Sequence, residues 1–112
     1  MNTSFTIPAE WEYTAPLLGP EARTTDRSCA QKDPSIVFVG GKWHAFMTIK
    51  CRQSTPMEYC SFADWKEADH APRTVLRVAD SKYYCAPQVF YFRPQEKWYM
   101  VYQVGVPGQK RM

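Results

Sequence analysis

An all-β fold built from β-propeller blades is what this sequence predicts, and three observations predict it. One segment of the chain starts twice. Pro34-Ser35-Ile36-Val37-Phe38-Val39 runs through Gly40-Gly41 into Lys42-Trp43-His44-Ala45-Phe46. Then Pro87-Gln88-Val89-Phe90-Tyr91-Phe92 runs through Arg93-Pro94-Gln95-Glu96 into Lys97-Trp98-Tyr99-Met100-Val101, 53 residues further on. A repeat of that length holding several strands marks propeller blades. Aromatic residues make up 15% of the chain and fall inside the strand-like runs, where a pleated, half-buried surface suits them. Finally, 45% hydrophobic and 22% charged residues in 112 positions are a globular composition with enough apolar surface for one core.

The elements follow in chain order. Residues 1–30 carry Pro8, Pro16 and Pro20 and little alternation. They read as an extended lead-in from which Trp11, Tyr13, Leu17 and Leu18 pack onto a sheet, with Thr24–Ser28 as a polar loop. Residues 31–112 read as the partial propeller domain. Residues 35–39 and 42–49 form its first hairpin, with Gly40-Gly41 supplying the positive φ of a two-residue turn. Residues 51–56 read as a loop, and Met57–Phe62 alternates as a third strand. Asp64–His70 is a polar turn with helical character, closed by Pro72, and 74–78 is an outer strand or a connection. The second hairpin pairs 88–92 with 97–103. The chain therefore covers one and a half to two blades. A propeller closes with at least ~4, so the chain reads as part of a larger fold; other closures, or assembly with copies of itself, are the alternatives.

Charge excludes some partners. A net charge of +3, from 14 basic and 11 acidic residues, forms no stripe, whereas nucleic-acid binding needs clustered Lys and Arg against phosphates. Gln109-Lys110-Arg111-Met112 reads as a solvated basic tail. No apolar run reaches the ~20 residues that span a bilayer. The start, Met1 to Pro8, lacks a basic region followed by an apolar stretch. As written the chain is expected in the cytoplasm; secretion would need a leader beyond this sequence. Cys29, Cys51, Cys60 and Cys85 show no C-x-x-C spacing, and His44 and His70 do not complete a zinc set. Free thiols, buried or partly buried, are the expectation, with one disulfide open to an exported protein.

The chemistry-bearing candidate is Asp33, placed just before the first strand. Glycoside hydrolysis needs one carboxylate to activate water and a second carboxyl group to protonate the leaving oxygen, and Asp33 can be the first. An aspartate in an Asp-Pro turn equally accepts local backbone hydrogen bonds. His44 on a strand reads as structural rather than catalytic. Cys85 lacks a visible base and oxyanion partner. Trp65 and Trp98 read as packing between sheets. Tyr83 and Tyr84 stand where they could flank a sugar pocket.

Asp33-Pro34-Ser35-Ile36-Val37, Gly41–Phe46, Met57–Trp65, Ala86–Pro94 and Trp98–Gln103, in this order and spacing, resemble the first part of glycoside hydrolase family 62. These are α-L-arabinofuranosidases acting on arabinoxylan, and the resemblance spans residues 31–105. The Ala-Pro-x-x-Phe-Tyr-Phe-x-Pro run carries most of its specificity; family 43, with the same fold, fits the second hairpin less closely. The resemblance implies a five-bladed β-propeller with a pocket on its axis and an inverting mechanism. It makes Asp33 the general base and puts Lys32 in the same pocket, with Gln103 as a further pocket residue. It implies arabinoxylan as the polysaccharide partner and no organic cofactor, with an axial calcium compatible with the complete propeller. The family's general acid, a glutamate, and the aspartate that orients it match no residue here. Glu58 has no counterpart in that set, and Asp64, Glu67, Asp69 and Asp80 read as surface charges. A non-catalytic sugar-binding module and a related propeller glycosidase of other specificity remain as alternatives.

Overall fold

The computed structural model describes residue 4 and residues 6–109; Lys110, Arg111 and Met112 of the basic tail, and Met1, Asn2, Thr3 and Phe5 of the start, lie outside the described residues. Among the described residues, six strands form two antiparallel sheets. The first has the order β1-β2-β3-β4, from β1 (Ser28–Val39), β2 (Lys42–Cys51), β3 (Met57–Phe62) and β4 (Thr74–Leu76). The second pairs β5 (Tyr84–Phe92) with β6 (Lys97–Val104). These are a whole four-stranded blade and the first half of another.

Turn chemistry sets the hairpins. Gly40 and Gly41 take φ of +61° and +75°, so β1 returns as β2 after two residues. The second hairpin uses a short 3₁₀ turn at Arg93–Gln95, with Glu96 left-handed at φ +51°. After β3, Asp64 caps a 3₁₀ turn, Trp65–His70, by accepting the Lys66 N–H at 2.9 Å.

Alternation on β2 explains how the sheets stack. Ala45, Met47, Ile49 and Cys51 are buried on one face. There Ala45 and Met47 meet Cys60, Phe62 and Ala68, with Leu18, Trp43 and Trp65 packed around them. Thr48, on the other face, is also fully buried, because β5 crosses that side. A run buried on both faces marks a strand between layers. Two hydroxyls join the layers: Ser35 Oγ accepts the Val89 N–H at 2.9 Å and Thr48 Oγ1 accepts the Ala86 N–H at 2.8 Å.

The lead-in is only partly as expected. Leu18 reaches the core, but Trp11, Tyr13 and Leu17 are exposed. Its ordered anchor is polar instead: the Gly19 N–H donates to Asp69 at 2.8 Å and Arg23 pairs with Glu58. The first strand begins at Ser28. Trp65 packs against Phe62 and Trp43, but Trp98 is half exposed and contacts Tyr91 on the open hairpin. Among the described residues no helix is long and apolar enough to cross a membrane.

Candidate active site

Asp33 does not precede a strand; it interrupts one. Lys32 pairs with Thr48 and Ser35 with Phe46, so β1 carries one residue more than β2 across this step. This is a β-bulge. Asp33 takes φ +50° in it, a left-handed conformation that Asp tolerates better than most residues. The bulge explains why Lys32 and Ser35, three residues apart, share the sheet face that β5 covers. β1 is an edge strand of its sheet, and Lys32 and Asp33 are both exposed there. Among the described residues, the Asp33 carboxylate makes no hydrogen bond or ion pair.

The second blade repeats the device. Cys85 pairs with Gln103 and Gln88 with Val101, again with one extra residue on the inner strand. Ala86, at φ +54°, is the bulged residue. Cys85 and Ala86 thus stand where Lys32 and Asp33 stand in the first blade. By register, Gln103 corresponds to Thr48, each opposite the residue that opens the bulge. The structure therefore brings Lys32, Asp33 and Gln103 to the same end of two stacked sheets. Gln103 is exposed, and its Oε1 accepts a long bond from the Cys85 thiol at 3.6 Å.

An open groove of about 1060 Å³ runs between the 77–84 segment and the end of β6. Gln103, Tyr83, Tyr84, Arg77 and Lys82 line it; Lys32 and Asp33 do not. Tyr84 is fixed there, buried, with its hydroxyl donating to the Leu76 carbonyl. Burial also pushes its phenol pKa up.

Other candidates are committed elsewhere. His44 bonds through Nδ1 to the Tyr59 hydroxyl at 2.8 Å and through Nε2 to the Val39 carbonyl at 3.2 Å, which leaves neither ring nitrogen for a substrate. The four cysteines are free thiols. Cys29 is exposed rather than buried, while Cys51, Cys60 and Cys85 are buried.

Glu58 is the functional-looking carboxylate whose surroundings the sequence did not reveal. It is fully buried on the core face of β3. It accepts from Arg73 at 3.0 Å, from the Gln31 amide at 3.0 Å, and from Arg23. Two guanidiniums and an amide compensate its charge, so it is a structural hub. Asp69 bonds Arg73 and Gly19, and Asp26 accepts from Ser54 and the Gln53 N–H. Among the described residues, no three His, Cys, Asp or Glu side chains gather as metal ligands.

Comparison with known proteins shows the family. Residues 10–109 match the family described as Glycosyl hydrolase family 62. Alpha-L-arabinofuranosidase C of Cellvibrio japonicus is 38% identical over 96 residues, which cover 86% of this chain and 15% of that protein. The catalytic domain of a GH62 alpha-L-arabinofuranosidase from Coprinopsis cinerea superposes with a TM-score of 0.74 at 39% identity, covering 81% of this chain and 29% of that one. A GH62 hydrolase crystallised with xylotriose gives 0.71 at 35%, covering 80% and 28%. The chain thus spans less than a third of the length of each.

Proposed function

The chain belongs to glycosyl hydrolase family 62, and from that membership we propose that it carries the base-bearing blades of an α-L-arabinofuranosidase acting on arabinoxylan. The observation that carries the proposal is the position of Asp33. It is an exposed carboxylate, held at positive φ in a bulge of an edge strand, free to accept a proton from water.

In this reading Asp33 takes a proton from a water molecule as the water oxygen bonds to the anomeric carbon of an arabinofuranosyl branch. The bond from that carbon to the xylan oxygen breaks, and a general acid returns a proton to the leaving oxygen. Inversion requires the two carboxyl groups to stand ~6.5–9.5 Å apart, with room for the water. The acid is the one the family resemblance implies, a glutamate that no residue of this chain matches, and Glu58, Asp69 and Asp26 are bound to other partners. Lys32 offers an ammonium with three donors to sugar hydroxyls, and Gln103 an amide that both donates and accepts.

Xylotriose in a family structure supports a xylan backbone as the polymer under the branch. Arabinoxylan lies outside the cell, so the activity requires export. The test is to follow arabinoxylan digestion by the enzyme from its host with proton NMR. Release of free arabinose, first as the inverted anomer, is expected. Release of xylose or fructose instead would reassign the substrate, and retention of configuration would remove Asp33 from the base role.

A further inference from the structure

We propose that Thr48 is a positioning residue for the base, acting by clamping the Asp33 bulge of the first blade to the Ala86 bulge of the second; this rests on the reading of Asp33 as general base. Thr48 lies directly across the sheet from Lys32, the residue before Asp33. Its side chain is fully buried, between Met47 and Ile49 in an otherwise apolar stretch of β2. Burial would favour valine of the same shape at that point. A hydroxyl stripped of water costs free energy unless it finds a partner, and this one accepts the Ala86 N–H at 2.8 Å.

The donor matters as much as the acceptor. A bulge leaves one residue out of the ladder, and a buried N–H freed in that way needs an acceptor from elsewhere. Ala86 is the bulged residue of β5, and Pro87 beside it is fully buried. Ser35, at the other end of the Asp33 bulge, accepts the Val89 N–H in the same manner. Thus the two residues that bound the bulge region, Ser35 on β1 and Thr48 opposite Lys32, both bind the backbone of the next inner strand. The exposed Asp33 lies between these two fixed points. A base on one blade must meet a water and an acid set by other blades, so the docking of one inner strand on the next fixes where its carboxylate stands.

The experiment compares Thr48→Val, Thr48→Ser and Ser35→Ala in the enzyme as its host makes it. Arabinofuranoside hydrolysis is read as kcat and KM across pH, beside thermal melting. Thr48→Val is expected to lower kcat roughly 10–100-fold, with KM within about twofold, while Thr48→Ser keeps kcat within about threefold of wild type. Wild-type kcat in Thr48→Val, whatever its melting temperature, would overturn the inference. So would a Ser variant that loses as much as the Val variant. Should Thr48→Val fail to fold, Ser35→Ala is read by the same criterion, and an unchanged kcat there counts against the clamp. A wild-type enzyme inactive on arabinofuranosides would sink the functional reading itself, whereas an active one with an unaffected Thr48→Val sinks the clamp alone.

Discussion

Asp33 and Ala86 occupy the same point of two successive inner strands, 53 residues apart, each at a one-residue bulge with φ of +50° and +54°. The shared backbone shape belongs to the blade, and the side chain placed on it decides what each blade does. One blade puts a carboxylate there and the other a methyl group.

That equivalence has a measurable consequence for stability. Left-handed backbone costs a non-glycine residue ~1–2 kcal/mol, while glycine loses ~0.5–1 kcal/mol of chain entropy. Ala86→Gly is therefore expected to stabilise the protein by up to about 1.5 kcal/mol. Ala86→Val should destabilise it by about 2 kcal/mol, because a β-branched side chain is badly strained at positive φ. Denaturant midpoints of the two variants check this, and a Val variant as stable as the Gly variant would contradict it.

Glu58 holds three segments together through Arg23, Gln31 and Arg73. Breaking a buried pair leaves an uncompensated charge and costs ~3–5 kcal/mol. Glu58→Gln keeps the volume and removes the charge, so a loss of about 3 kcal/mol is expected from urea unfolding. A loss below about 0.5 kcal/mol would mean that the arginines are satisfied without it.

Asp26 contributes a pH-dependent term. Its pKa lies below the ordinary 3.8, first because of the Ser54 hydrogen bond and then because of the Gln53 N–H. A depressed folded-state pKa gives stability that is present above the unfolded value and lost as pH falls through the folded one. Stability should therefore fall on acidification below about pH 4, and Asp26→Asn should flatten that part of the curve. An unchanged acid limb in Asp26→Asn would remove Asp26 from the account.

Thiol labelling separates the cysteines. Cys51 and Cys60 are buried, and desolvation raises both pKa values. Cys29 is exposed. Iodoacetamide at mildly alkaline pH should modify Cys29 in the native protein, with Cys51 and Cys60 following only after unfolding. Equal rates at all three, read by peptide mass, would contradict the burial pattern.

Much of the fold was legible because local rules govern it. Met57–Phe62 alternates and forms a strand with those bounds, and Gly40-Gly41 makes the turn its φ freedom suggests. The strand starts were not legible. A bulge breaks the two-residue period, and the prolines at 34 and 87 look like beginnings, yet β1 and β5 start at Ser28 and Tyr84. Glu58 was hidden for another reason. Its place in the alternation put it on the core face while its charge argued for solvent, and the arginines that resolve the conflict are 15 and 35 residues away. Asp33 stands out by its place ahead of an apolar run, and Lys32 only through the family pattern. Their bulge came from pairing register, and Thr48 drew no notice because a threonine in a strand is ordinary.

The most direct test of the central claim is arabinose release from arabinoxylan by the Asp33→Asn enzyme. Asn tolerates positive φ, so the variant should melt like wild type. Loss of the base should lower kcat by ~10²–10⁴-fold. A folded Asp33→Asn enzyme that releases arabinose at the wild-type rate would contradict the assignment of Asp33 as the general base.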